Sequence, residues 1–168
     1  MMEEEVDEEM SLETTPEYHT CICRGATVWH DTGIVAYTSP IASTPVAQFV
    51  SAQPLTPECN SFSFEIINFG KSGYIAIGVC PRRYAPNRQP GWDPSSVGYH
   101  ADDGGIYIGS GWANKRLEKC KKGDIMKVQL DFQKMTLSFW RNGNQVSSIF
   151  KKSKVTAFCL RQAARGQN

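Results

Sequence analysis

Asp102 and Asp103 are the one adjacent pair of carboxylates beyond the N-terminal segment, and His100 stands two residues before them. Two carboxylates can hold a cation or share acid and base duties, and either use requires them to converge on one point. Neighbours along a strand point to opposite faces, and Gly104 marks a turn, so the pair is predicted to serve that turn. His19, His30 and His100 have no partner four residues on, and no Ser or Cys stands in a nucleophile-elbow sequence. His100, between Tyr99 and Ala101, reads as a packed, hydrogen-bonded side chain. Phe69-Gly70-Lys71-Ser72 ends as a phosphate loop does, but the motif's first glycine falls on Glu65 and no helical pattern follows. The glycines from Gly104 to Gly111 flank Ile106 and Ile108, a strand-like pair, and so serve turns and close strand approach rather than a dinucleotide.

Cysteines occur at 21, 23, 59, 80, 120 and 159. Cys21-Ile22-Cys23 lacks a second Cys or His pair at finger spacing, which argues against structural zinc. Cys80 and Cys159 lie within apolar alternation and read as small buried side chains. With no secretion signal, a disulfide framework is not expected. These residues supply no catalytic set, no cofactor site and no metal site, so the chain reads as a non-enzyme.

The elements that would position any site are strands. Apolar residues alternate in Phe62 to Ile67 and Tyr74 to Cys80, and strand-like runs recur at Gly105 to Ile108, Ile125 to Phe132, Thr136 to Arg141 and Val155 to Leu160. Turn residues separate them, among them Asp102-Asp103-Gly104, Lys122-Gly123-Asp124 and the hairpin signal Asn142-Gly143. Short strands divided by such turns predict an all-β sandwich or barrel. Thr38 to Pro57, with four prolines, is predicted to be a loop broken by a short strand around Phe49 to Ala52. Tyr84 to Val97, with Pro86, Pro90 and Pro94, is predicted to be one long loop.

Charge is distributed unevenly. Eight carboxylates, from Glu3 to Glu17, precede the first basic residue, Arg24, and the remainder is strongly basic. Residues 1–20 are therefore expected to be a disordered acidic tail that aids solubility. No apolar run reaches the roughly 20 residues that cross a bilayer, and the N-terminus is not a signal peptide. A cytoplasmic or nuclear protein without membrane attachment is the expectation.

Pro90-Gly91-Trp92, then Gly98-Tyr99-His100, then Asp102-Asp103-Gly104 resembles the central signature of the SPRY domain family. Phe62-Ser63-Phe64-Glu65-Ile66, Gly73-Tyr74-Ile75-Ala76-Ile77-Gly78-Val79, Lys122-Gly123-Asp124-Ile125, Leu130-Asp131-Phe132 and Phe139-Trp140-Arg141-Asn142-Gly143 resemble further family elements in the family's order. The likeness runs from Thr27 to Leu160 and favours the Ran-binding-protein-like and SPRY domain-containing protein 3-like branches. Met126-Lys127-Val128-Gln129 departs from it, with bulk in place of a small Gly-Cys-Gly run, and so does Trp140-Arg141, in place of Thr-Lys.

The resemblance implies a bent antiparallel β-sandwich over residues 21–161, with 162–168 as a C-terminal tail. It finds a penultimate strand at Val155 to Arg161 and no counterpart of the closing strand. The expectation is an exposed sheet edge or marginal stability, in a truncated or alternatively ended chain. Trp92, Tyr99 and Phe139 are expected to plug a loop onto the sandwich.

The resemblance further implies an adaptor that recognises a peptide or partner surface through its loops. Carried over residue by residue, Arg82, Arg83, Tyr84, Asn87, Arg88 and Gln89 occupy one family binding loop, and Trp112 extends the face or caps an edge. Their arginines suggest an acidic or amide-rich protein or peptide partner. The alternative is nucleic-acid binding through Arg82, Arg83, Arg88, Lys115, Arg116, Lys119, Lys121 and Lys122, with Trp112 as a stacking platform. The oligomeric state is not legible.

Overall fold

A computed structural model of the chain describes residues 21–29, 31–37, 46–70, 73–85, 87–150 and 157–163. They form thirteen strands and no helix: β1 Ile22–Arg24, β2 Ala26–Trp29, β3 Ile34–Tyr37, β4 Val46–Val50, β5 Ser61–Glu65, β6 Tyr74–Cys80, β7 Val97–His100, β8 Gly105–Ile108, β9 Ala113–Arg116, β10 Ile125–Asp131, β11 Thr136–Arg141, β12 Asn144–Phe150 and β13 Ala157–Ala163. A seven-stranded antiparallel sheet runs β1-β4-β13-β6-β7-β8-β9 and a four-stranded sheet β12-β11-β10-β5, while β2 and β3 form a separate hairpin. The expected bent β-sandwich is present.

Alternation builds the core. Met126, Val128 and Leu130 of β10 are buried, as are Leu137 and Phe139 of β11, while the residues between them are not. They pack against Ile75, Ile77, Val79, Val97, Tyr99 and Ile106 of the larger sheet. Tyr99 and Phe139 meet across the sandwich with ring centres 6.0 Å apart. The Asn142-Gly143 hairpin turn forms as predicted, with positive φ at both residues and Arg141 paired to Asn144.

Three expectations need correction. The strand in the proline-rich segment is Val46–Val50 rather than 49–52, and it is paired on both sides inside the seven-stranded sheet. Its near-complete burial, including Gln48, outweighs the loop bias of the flanking prolines. Tyr99 and Phe139 belong to the inner core and do not plug a loop. The penultimate strand is β13, flanked by β4 and β6, so it presents no open edge, and it continues to Ala163 past the expected boundary at 161. An edge does occur elsewhere. Among the described residues β5 pairs with β10 alone, beside a cavity of about 600 Å³ shared with the β2–β3 hairpin and β4. The acidic segment 1–20 and residues 164–168 lie outside the described residues.

Candidate interaction site

Since Ile77, Val79, Val97 and Tyr99 face the core, alternation sends Gly78, Cys80, Gly98 and His100 to the outer face of the seven-stranded sheet. Gly78 and Gly98 are paired in register. A methyl group on Gly98 would collide with the Pro90 carbonyl, so glycine here lets the 81–96 loop lie directly on the strands. His100 Nε2 stands 3.1 Å from the Pro90 carbonyl and its ring stacks on Tyr107 at 4.0 Å, with Trp92 at 6.1 Å. These three rings, rather than Tyr99 and Phe139, seat the loop.

Tyr84 holds the other half. The ring is buried, 6% exposed, in a small outer cluster with Val50 and Cys80, against which Ile22 packs. The hydroxyl donates to the Gln89 carbonyl at 2.9 Å, accepts from the Asp93 amide at 3.2 Å and lies 2.8 Å from Ser96 Oγ. Ser96 Oγ in turn donates to the Asp93 carbonyl and accepts from the Gly91 amide, each at 2.8 Å. The Gln89 side chain is buried too, 4% exposed. Tyr84 and Gln89 were expected among the contacting residues; the structure places both inside, because a tyrosine hydroxyl in a loop can satisfy several backbone groups at once.

The remaining expected residues are reachable. Asn87 and Arg88 are exposed, and Arg88 Nε lies 3.7 Å from Asp93. Arg83 is exposed and Arg82 half-buried; both line a depression of about 560 Å³ together with Arg24, Ile22, Gln48, Tyr84 and Ala85. Arg24, Arg82 and Arg83 thus all line one depression. Arg24, Ile22 and Gln48 were missed from sequence. The available signal was Gln48, a polar residue between Val46 and Val50 that alternation puts on a buried face.

Trp112 is 84% exposed on a turn that is fastened to the same loop, with Ser110 N–H donating to the Gly91 carbonyl at 2.8 Å and Gly109 N–H to the Ser96 carbonyl at 3.2 Å. Trp112 borders the loop scaffold and is not part of the arginine depression.

His100, Asp102 and Asp103 bring ligand-type atoms within 4.8 Å of one another, closer than strand alternation allows, because both aspartates sit in the turn. Asp103 is fully occupied: it accepts from the Gly105 amide at 2.7 Å, the Tyr107 hydroxyl at 2.8 Å and Arg116 at 2.7 Å. Burial pushes the Asp103 carboxyl up, but these donors outweigh it and leave the group below the ordinary range. The turn therefore ties β7 and β8 to β9. Of the cations proposed for nucleic acid, Arg116 is bound to Asp103, Lys121 lies 3.5 Å from Glu118 and Arg88 faces Asp93.

A family model for the SPRY domain matches residues 61–167. Human SPRY domain-containing protein 3 is 40% identical over 111 residues, which is 63% of this chain and 25% of that protein. A Drosophila melanogaster Ran-binding proteins 9/10 homolog is 33% identical over 103 residues, 60% of this chain and 11% of its own length. The chain thus spans a quarter or less of these two relatives. Among solved structures, a human SPRY domain superposes with a TM-score of 0.76 at 30% identity, covering 86% of this chain and 92% of that one.

Proposed function

Because the chain belongs to the SPRY domain family, whose members are in general protein–protein interaction modules, we propose that it is an adaptor that grips an acidic or amide-rich segment of a partner protein. Arg24, Arg82 and Arg83 line one depression, and the loop that supplies Arg82 and Arg83 also exposes Asn87 and Arg88; this grouping carries the reading. Guanidinium groups offer forked donors that match carboxylates and side-chain amides. The rigid frame from Tyr84 to Ser96 lowers the ordering cost of binding. Trp112, exposed on the turn fastened to the same loop, offers a separate apolar contact outside the depression.

The test is fluorescence anisotropy with a labelled synthetic peptide rich in Asp and Asn. Arg82→Ala with Arg83→Ala should weaken binding by about tenfold or more, equivalent to at least about 1.4 kcal/mol, measured at a temperature where circular dichroism shows the variant folded. Equal affinity of the wild type and the double variant rejects the site.

A further inference from the structure

Cys21 and Cys23 flank Ile22, and their sulfurs lie 3.6 Å apart. Cys23 is exposed and Cys21 half-buried, and both are free thiols. Alternation puts the two thiols on one face of this stretch and Ile22 with Arg24 on the other. On that other face Ile22 packs toward Tyr84 and Val50, and both Ile22 and Arg24 line the arginine depression. The stretch from Cys21 to Arg24 therefore carries the two thiols on one face and one wall of the candidate site, Ile22 and Arg24, on the other.

A disulfide needs sulfurs about 2.05 Å apart and Cβ atoms about 3.5–4.5 Å apart. Residues i and i+2 of a regular strand are separated by two rises, about 6.6 Å. Closing the bond must therefore bend the chain at Ile22. β1 is three residues long and lies at the end of its sheet, paired with β4 alone among the described residues, so little holds it straight.

We propose that Cys21 and Cys23 form an oxidative modification site, closed by a low-molecular-weight disulfide, and that its closure dismantles the arginine depression. The proposal rests on the proposed function for its effect on binding, but not for the chemistry itself. One cysteine thiolate attacks the reagent disulfide and releases one reagent thiol. The second thiolate attacks the protein sulfur of the mixed disulfide, forms the Cys21–Cys23 bond and releases the other. Two electrons pass from the cysteines to the reagent, which leaves as two thiols that take up the two protons. Burial and the adjacent Cys21 push the Cys23 thiol up to about 11, so oxidation is slow at neutral pH and speeds up as pH rises.

The whole chain is treated with oxidised glutathione at a series of pH values from neutral to mildly alkaline and mapped by mass spectrometry after alkylation. The expected product has lost two hydrogens and two alkylatable thiols at Cys21 and Cys23. Its affinity for the Asp- and Asn-rich peptide should fall by about tenfold and recover with dithiothreitol. A Cys21→Ser, Cys23→Ser variant should bind the peptide normally and ignore the reagent. Hydrogen exchange at residues 22–24 and 48–50 should quicken on oxidation. Absence of the Cys21–Cys23 bond overturns the proposal, as does a bond that leaves exchange unchanged or leaves peptide affinity intact. Should the reduced protein not bind the peptide at all, the proposed function is lost, and hydrogen exchange alone decides whether closure remodels this wall.

Discussion

The hydroxyl of Tyr84 bonds to backbone groups at residues 89 and 93 and lies against Ser96, so one oxygen closes a loop from end to end. Tyr84→Phe keeps the ring and removes that oxygen, leaving the Gln89 carbonyl and the Asp93 amide without it. The expected cost is about 1–3 kcal/mol in urea denaturation, with weaker peptide binding as a consequence. Asn87→Ala, an exposed truncation, should leave stability alone, and this contrast separates framing from contact. His100 supplies a second measurement. Burial holds its imidazole below the ordinary 6.5, against the opposing pull of the Pro90 carbonyl and Asp103. The folded state then binds fewer protons than the unfolded chain in the window below 6.5. Stability from this residue is complete above about pH 6.5 and declines as the pH falls through the window. Urea midpoints between about pH 7.5 and 5.5 should show that decline, and His100→Gln should flatten it. His100 was legible in the sequence as a packed, hydrogen-bonded side chain, whereas Tyr84 did not advertise its duty. Tyrosine and arginine attract attention as contact residues, and only the folded loop shows which of them turns inward.

Among the elements, β10 and β11 were legible because each has a strict period of two and the pair is followed by Asn142-Gly143. Phe139 sits on that pair with no exposed surface, against Tyr99 of the opposite sheet. Phe139→Ala should cost about 3–5 kcal/mol, read as a lower urea midpoint with an unchanged slope. β4 was placed three residues late because the prolines around it masked a five-residue strand whose neighbours in the sheet come from distant parts of the chain. The same long-range pairing hid the arginine depression. Arg24 meets Gln48 only through the β1–β4 register, and Arg82 arrives from the turn after β6. Local pattern reveals strands, but not which strands become neighbours.

For the molecule as a whole, exposed cations govern the approach of a partner, and salt screens them within about 10 Å at 0.1 M. Peptide affinity should fall steadily between about 50 mM and 500 mM salt, measured by anisotropy. Loss of Trp112 by Trp112→Ala should lower affinity by a factor that salt leaves unaltered, because its contribution is apolar. A salt-insensitive peptide affinity would remove the electrostatic account of the arginines. The loop that bears these groups is locked to the sheet at Gly98, to Tyr84 at its start and to the Trp112 turn at Gly91. A surface already set in its final shape has no folding to complete after encounter. Association should therefore follow a single kinetic phase at a rate set by collision and steering, and variants of the site should differ mainly in how long the complex survives.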